Sequence, residues 1–396
     1  MSAIPESIAS RTAATTPTLR NPGIDRLRGL AILLVVVHHI ALRIPLKETL
    51  LDDLLPRRFL GSLTYNGYEA VFMFFVISGF LIASHVIRRY GSLAAIDSRA
   101  FYGRRVSRIV PLLVLLMIVL SGLHLAGFND YVIQREEQSL PRALISVFGL
   151  HLNWYEGVTG YLPGNWDVLW SLSIEEVFYL AFPVVCLAVR RPAILALLLI
   201  GLALSLPLAR AALAGNDIWQ EKAYLPGIAA IATGVFAALC IAERLPLSRV
   251  AQRVAAVFGS IGIAAVMLFG ASLWPVLGNG VMLLLTISTA SLLIALDAEA
   301  RANPQPVGDS WLASMGRLSY EIYLTHMFVV FTGIAVFRNY GEMRSGWLWY
   351  FPIVLLCWLL GAMLSRYFTL PVERYLRSRW LSRRDQQRPS ALTDPA

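Results

Sequence analysis

The chain has 396 residues, 57% of them hydrophobic and only 15% charged, with a net charge of +9. Because soluble domains usually carry about 25% charged residues, this composition excludes an ordinary water-soluble protein and predicts one that lies in a membrane. Excess Lys and Arg are typical of the cytoplasmic loops of membrane proteins, and with no recognition module we expect no nucleic-acid partner. The three cysteines lack metal-like spacing, so we expect neither a disulfide framework nor a metal site.

The two ends of the chain differ in composition from everything between them. Residues 1–22 are rich in Ser, Thr, Ala and Pro and lack the apolar core of a signal peptide. Residues 381–396 are mostly polar. We predict two disordered cytoplasmic segments and a single membrane domain, residues 23–380, between them.

Ten apolar stretches are long enough to cross a bilayer as a helix, which takes about 20 residues. In chain order they are residues 27–45, 67–87, 109–128, 167–189, 192–213, 223–242, 254–273, 279–297, 316–337 and 346–369. If the N-terminus is cytoplasmic, the inner segments hold 24 of the Lys and Arg residues and the outer ones hold 10. This asymmetry predicts an all-α, polytopic bundle of about ten transmembrane helices with both termini in the cytoplasm.

The first span carries Arg28 and His39, which are eleven residues apart. On a helix the two side chains lie within about 20° of the same face and roughly 16 Å apart along the axis, whereas His38 points about 100° away from His39. A histidine inside a span is costly unless it faces protein or water, which makes it a functional candidate. A hydrogen bond to a neighbouring helix would also explain it.

Arg104, Arg105 and Arg108 lie at the start of the third span. The planar guanidinium group is suited to binding phosphate, but an ordinary cluster of positive charge on the cytoplasmic side would look the same. The small pair Ser78 and Gly79, in the second span, favours close helix packing.

Two later spans contain polar groups that packing alone does not explain. Glu175 and Glu176 are adjacent in an apolar stretch and point about 100° apart, so they need not have the same role; a protonated, structural glutamate is the alternative. Ser319, Tyr323 and His326 form a polar stripe along the ninth span, with Tyr320 and Glu321 facing elsewhere. A hydrogen-bond network inside the bundle is the alternative interpretation of that stripe.

The longest outer connection, residues 129–166, is rich in aromatic side chains. These could form a belt at the membrane interface or line a sugar-binding surface. They are Tyr131, His151, Trp154, Tyr155, Tyr161 and Trp166.

Together these motifs resemble the acyltransferase-3 family of membrane acyltransferases, which includes O-acetyltransferases of envelope glycans and macrolide acylases. The resemblance covers residues 23 to 375 and keeps the order of the motifs. The matching strings are Arg-x10-His, FFVISGFL, RRxxRIxP, WSLxxEExFY and SYxxYLxH.

The resemblance implies a ten-span enzyme, expected in the bacterial cytoplasmic (inner) membrane, that takes an acyl group, commonly acetyl, from cytoplasmic acyl-coenzyme A. The acceptor would be a hydroxyl group of an envelope glycan or lipid-linked sugar. The family's essential Arg-x10-His corresponds to Arg28 and His39, and its arginine motif to Arg104, Arg105 and Arg108. The sequence departs from the family after the last span, where Glu373 and Arg374 are followed by Tyr375 instead of proline. Without the hydrolase-like domain of some relatives, the chain would finish the transfer itself or pass the acyl group to a separate envelope protein.

We therefore expect acyl transfer in which His39 is the general base or is itself acylated. Glu175 would orient His39, Arg28 would line the path of the donor, and the three arginines would hold its phosphates. Glu176, Ser319, Tyr323 and His326 are the expected substrate contacts. The rival prediction is a transporter or flippase that uses His and Glu as a proton relay, although no inverted repeat is evident. A non-catalytic membrane partner would leave the Arg28–His39 register unexplained.

Overall fold

A computed structural model describes residues 21–242, 248–303 and 310–380. The two predicted disordered segments lie outside these residues, apart from Asn21 and Pro22. Pro22 begins the first helix, and the side chain of Asn21 caps it by accepting hydrogen bonds from the backbone N–H groups of Gly23 and Ile24.

The described part of the chain contains helices and no strands, which confirms the predicted all-α class. The α-helices are α1 Pro22–Ala41, α2 Arg57–Thr64, α3 Gly67–Tyr90, α4 Ser98–Leu125, α5 Leu140–Phe148, α6 Leu152–Thr159, α7 Gly164–Asp167, α8 Trp170–Ala188, α9 Pro192–Leu204, α10 Leu206–Ala211, α11 Asp217–Lys222, α12 Tyr224–Ala242, α13 Arg249–Leu277, α14 Gly280–Ala302, α15 Trp311–Arg317, α16 Ser319–Tyr340, α17 Tyr350–Leu364 and α18 Leu370–Trp380.

Each of the ten predicted spans overlaps a helix. Among the described residues, nine helical stretches are long and apolar enough to cross a membrane. The remaining one, α1, has 20 residues and is therefore about 30 Å long, but Asp25, Arg26 and Arg28 shorten its apolar part. The chain is an integral membrane protein built as a helical bundle.

Helix α3 lies in the middle of the bundle, where Phe72, Phe75 and Phe80 are fully buried. It packs directly on α12, because a Cβ atom at Gly79 would collide with the backbone carbonyl oxygen of Ile231. The packing role predicted for the Ser78–Gly79 pair is confirmed for Gly79. Contact between helix backbones through small residues is typical of membrane bundles.

Helix α1 is held in the same way against α15. A Cβ atom at Gly29 would overlap the carbonyl oxygen of Leu312, and one at Gly316 would overlap that of Asp25. Because the two backbones touch, the rotation of α1 about its axis is defined. This rotation sets the direction of Arg28, the neighbour of Gly29.

The C-terminal part of the structure turns back onto α4. Residues Ser365–Thr369 form a π-helical turn between α17 and α18, a feature often found at functional sites. Helix α18 then packs along α4. Its buried Glu373 pairs with Arg377 one turn later.

The outer connection folds into the short helices α5, α6 and α7. Trp166 is fully buried and Tyr155 is buried, so neither lies in an exposed belt or sugar-binding surface. Trp154 and Tyr161 remain exposed, at 54% and 42%. The predicted aromatic segment therefore divides between core packing and a smaller exposed group.

Candidate active site

A cavity of about 140 Å³ lies between α1, α3, α4, α8, α16 and α18. Seven of the ten predicted site residues line it: Arg28, Arg104, Arg105, Arg108, Glu175, Ser319 and Tyr323. The other three, His39, Glu176 and His326, do not. The structure thus brings together motifs that are up to about three hundred residues apart in sequence.

The arginines of α4 give the cavity its charge. The side chain of Asp97 accepts from the backbone N–H of Ala100 and starts the helix. Arg104 and Arg108 then fall one turn apart, and both are buried. Arg104 donates to the hydroxyl of Tyr90 (3.0 Å). Arg105 lies over the ring of Tyr179, 4.7 Å from its centroid.

Helices α1 and α16 meet at the cavity through a hydrogen bond. Arg28, only 5% exposed, donates to the hydroxyl of Ser319 at 2.7 Å. The carboxylate of Glu175 is the only acidic group in the lining, against five guanidinium groups including that of Arg377. Such a cavity favours an anionic ligand.

Glu175 belongs to a hydrogen-bonded series of three side chains. Tyr179, one turn later on α8, donates to Glu175 (3.1 Å) and also hydrogen-bonds the hydroxyl of Ser78 (2.7 Å). Sequence reasoning assigned no role to Tyr179, although its spacing from Glu175 marks it as a neighbour. Glu176 does not line the cavity. This agrees with the prediction that the two carboxylates need not have the same role.

Tyr320 was expected to face away from the polar stripe of α16, and that expectation is wrong. It lines the cavity and donates to the backbone carbonyl of Ile109 (2.7 Å). Adjacent positions on a helix point about 100° apart, but the long side chain of Tyr320 still reaches the cavity that Ser319 lines. Ser171 and Arg377 also line the cavity without having been predicted. Nothing local distinguishes Arg377 from the other arginines near the C-terminal end.

His39 lies in the last turn of α1 and faces His326 of α16. The two ring centroids are 5.1 Å apart, at an interplanar angle of 44°. Nδ1 of His326 is 2.8 Å from the carbonyl oxygen of Tyr323 and 3.1 Å from that of Ile322. Because carbonyl oxygens only accept, Nδ1 carries the hydrogen and Nε2 of the neutral ring is an acceptor. His38 turns instead toward Tyr65.

Tyr323 separates the arginine cavity from the histidine pair. Its hydroxyl donates to the carbonyl of Val168 (2.8 Å) and accepts from Ser171 (2.7 Å). Its ring centroid is 6.1 Å from that of His326. The cavity and the histidine pair are therefore neighbouring regions with one tyrosine between them.

A buried ion cluster lies beyond the histidine pair, where the outer connection meets α11. Lys222 pairs with Glu156 (2.9 Å) and with Asp167, and its backbone carbonyl accepts from Asn153 (2.9 Å). Burial, together with the charge of Asp167, raises the pKa of Glu156. Burial also raises the pKa of the Tyr161 phenol, which lies over Lys222, to about 12. Sequence reasoning missed this cluster.

Across the described residues, no group of three or more His, Cys, Asp or Glu side chains could hold a metal ion. The side chains of the site suit acid–base and electrostatic chemistry. They combine a concentrated positive charge, a carboxylate and two adjacent imidazoles.

Comparison with known proteins agrees with the motifs. The family model described as an acyltransferase domain, Acyl_transf_3, matches residues 21–368. The peptidoglycan O-acetyltransferase OatA of Listeria monocytogenes is 25% identical over 335 residues, which is 77% of this chain and 48% of the relative. The O-acetyltransferase OatA of Staphylococcus aureus is 30% identical over 175 residues, 41% of this chain and 24% of the relative.

This chain thus spans about half or less of the length of the curated relatives that it matches. A search of the solved structures finds no significant match. The family model, however, covers nearly the whole chain, and the predicted motifs lie together in the structure. The chain belongs to the acyltransferase-3 family.

Proposed function

We propose that the chain is a membrane O-acyltransferase that moves an acyl group, most simply acetyl, from acyl-coenzyme A to a hydroxyl of an envelope or extracellular glycan. The observation that carries this proposal is the adjacency of a five-arginine cavity and a pair of neighbouring histidines, His39 and the buried His326. Coenzyme A is a polyanion with a reactive thioester at its far end. The cavity suits its phosphates, and the histidine pair suits proton transfer at its thioester.

The reaction moves the acyl group from the sulfur of the thioester to the oxygen of the acceptor hydroxyl. In the direct route, His39 removes the proton from the acceptor hydroxyl, whose oxygen attacks the thioester carbonyl. The carbon–sulfur bond breaks, an ester bond forms, and the thiolate leaves as the thiol after taking up the proton. In the alternative route, His39 attacks the thioester carbonyl, the carbon–sulfur bond breaks and the thiol leaves with the imidazole proton. The acyl-imidazole then passes its acyl group to the acceptor hydroxyl, whose proton returns to His39.

Arg28 and His39 are consistent with one donor that reaches across both regions. Their eleven-residue separation on a straight helix corresponds to roughly 16 Å. The phosphates would lie among Arg28, Arg104, Arg105 and Arg108, and the pantetheine arm would pass Tyr323 on its way to His39. Glu175, hydrogen-bonded to Tyr179 rather than to His39, would balance the positive charge of the cavity.

Two relatives named O-acetyltransferases support acetyl as the group, and the one named a peptidoglycan O-acetyltransferase supports a glycan as the acceptor. Both are longer than this chain, so their named activities are only a guide. The proposed location is the bacterial cytoplasmic (inner) membrane, with the arginine cavity toward the cytoplasm. This direction follows the tendency of arginine-rich segments to stay inside. The transporter alternative draws no support from the family match.

The test measures transfer of radiolabelled acetyl from acetyl-coenzyme A to envelope glycans in membranes that contain the protein. We expect His39→Ala to lower the rate by about 10²- to 10⁴-fold, the usual contribution of a general base. The control is His38→Ala, because His38 is adjacent in sequence but faces Tyr65. This variant should transfer acetyl at close to the parent rate. If correctly inserted His39→Ala protein transfers acetyl normally, the proposal is wrong.

A further inference from the structure

The arginine cavity extends along α3 as far as Ile82, the residue after the FFVISGFL motif, and His85 lies just beyond its lining. Ser78, Leu81 and Ile82 of α3 line it. His85 lies one turn further along the same face of α3. It is only 7% exposed, and within the described part of the chain neither of its ring nitrogens has a hydrogen-bond partner.

Burying an imidazole without hydrogen-bond partners is energetically unfavourable, so the position of His85 calls for an explanation. The positive charges of Arg89, Arg104, Arg105 and Arg377 act on His85, and three of these arginines, Arg104, Arg105 and Arg377, line the cavity. These guanidinium groups and the unused N–H of the imidazole form a set of hydrogen-bond donors. Such a set is suited to an oxygen-rich anion.

Two of these arginines, Arg104 of α4 and Arg377 of α18, extend into the cavity from different helices. One guanidinium nitrogen of Arg104 donates to Tyr90, and its other terminal nitrogen is buried with no hydrogen-bond partner among the described residues. Arg377 arrives from α18, where it is held by Glu373, a carboxylate that is only 5% exposed. The π-helical turn and the packing of α18 on α4 place it there.

We propose that His85, Arg104 and Arg377 form a subsite for a terminal phosphate group, and that this group is the phosphomonoester of the acyl-coenzyme A donor. The inference rests on the proposed function, because it names where one end of the donor binds. It gives α18 a role in donor recognition although its sequence departs from the family pattern at Tyr375. Glu373 is then a positioning residue for Arg377.

The experiment compares donors that differ by that single phosphate. Binding of coenzyme A and of dephospho-coenzyme A to the purified full chain is measured by calorimetry, and KM is measured for their acetyl thioesters. We expect Arg377→Gln and His85→Leu to weaken binding of coenzyme A by about 10- to 100-fold, the range for a lost hydrogen bond to a charged group. Binding of dephospho-coenzyme A should barely change.

Arg374→Gln is the matched control, because Arg374 is exposed on the same helix and lies outside the cavity lining. Glu373→Gln should weaken coenzyme A binding less than Arg377→Gln does, since the guanidinium group remains. Lipid nanodiscs with and without anionic lipid separate the two sources of a phosphate. A binding change that follows the lipid instead of the donor would overturn the assignment to coenzyme A.

Two further outcomes would also overturn the inference. One is equal weakening of both ligands, which would indicate a structural role for the substituted residues. The other is unchanged binding in both variants. A different result would show that the proposed function alone is wrong. In that case the parent protein would bind coenzyme A much more tightly than dephospho-coenzyme A and yet transfer no acetyl. A parent that does not bind coenzyme A at all would contradict both proposals.

Discussion

His326 shows how a single side chain gains a role from its surroundings. Two backbone carbonyls of its own helix face Nδ1 and hold the hydrogen there. Nε2, which is buried and has no hydrogen-bond partner among the described residues, is left as an acceptor. The ring of His39 is the neighbouring group that can donate to it. We infer that His326 selects the tautomer of His39 and is a positioning residue, where the sequence suggested a direct substrate contact.

The first prediction concerns this pair. His326→Leu should lower kcat by about 10²-fold, because an unoriented base loses much of the usual contribution of general base catalysis. His326→Gln retains an acceptor atom near the position of Nε2 and should keep a larger fraction of kcat. The KM for the donor should stay nearly constant in both variants, since His326 lies outside the arginine cavity. Equal activity of the Leu variant and the parent protein would rule out the positioning role.

At the scale of elements, the outer connection is tied to the bundle by charge. Glu156 of α6 accepts from Lys222 of α11 and from the backbone N–H of Leu162, and all of Glu156 is buried. A buried ion pair is not in itself a strong source of stability, but removal of one partner leaves an uncompensated charge. The position of α6 and α7 relative to the histidine pair therefore depends on Lys222.

The second prediction is that Lys222→Met destabilises the protein by about 3–5 kcal/mol, the usual cost of breaking a buried pair. It should appear as a lower melting temperature of the purified protein and as faster proteolysis between residues 150 and 167. The chain offers a close control, because its one other lysine, Lys47, is exposed. Lys47→Met should leave both measurements unchanged.

The double substitution Lys222→Met with Glu156→Leu distinguishes charge from packing. Apolar residues often replace a buried pair without loss of stability, so we expect partial recovery of the melting temperature. A double variant that is less stable than Lys222→Met alone would contradict this explanation.

At the scale of the whole molecule, the polar groups form two regions at different heights of the bundle. Arg28 near the start of α1 and Arg377 near the end of α18 line the same cavity. His39, in the last turn of α1, is displaced from them along the helix. The start of α1 and the end of α18 thus lie at the same end of the bundle, where the arginine cavity is. An even number of membrane crossings between them would give this arrangement.

The third prediction tests the direction of this arrangement in the membrane. Lys47→Cys, between α1 and α3, should react with a membrane-impermeant maleimide in right-side-out vesicles. Ser92→Cys, just after α3, should react only after the vesicles are opened. The parent chain is the background control for the native cysteines, of which Cys186 and Cys357 are buried and Cys240, near the end of α12, is exposed. The reverse labelling pattern would place the arginine cavity outside.

Much of this architecture could be predicted because it depends on local properties of the chain. Hydropathy over about 20 residues is enough to find a membrane helix, and helical periodicity was enough to separate His39 from His38. The motifs around Arg104 and Glu175 also predicted residues that line one cavity. The ten spans predicted from the sequence include the first helix, whereas the nine long apolar helices among the described residues do not, because Asp25, Arg26 and Arg28 lie inside α1.

The remainder depended on which helices touch. The sequence by itself determined the helical class, the approximate spans and the set of polar residues that a bilayer makes costly. Only the tertiary structure decided that His39 faces His326, that Tyr320 reaches the cavity, and that His85 and Arg377 join the arginines of α4. These contacts follow from the rotation and neighbours of each helix, which are set by close backbone contacts such as Gly29 against Leu312. A contact between two distant segments produces no periodic pattern in the sequence of either one, so only the packed bundle reveals it.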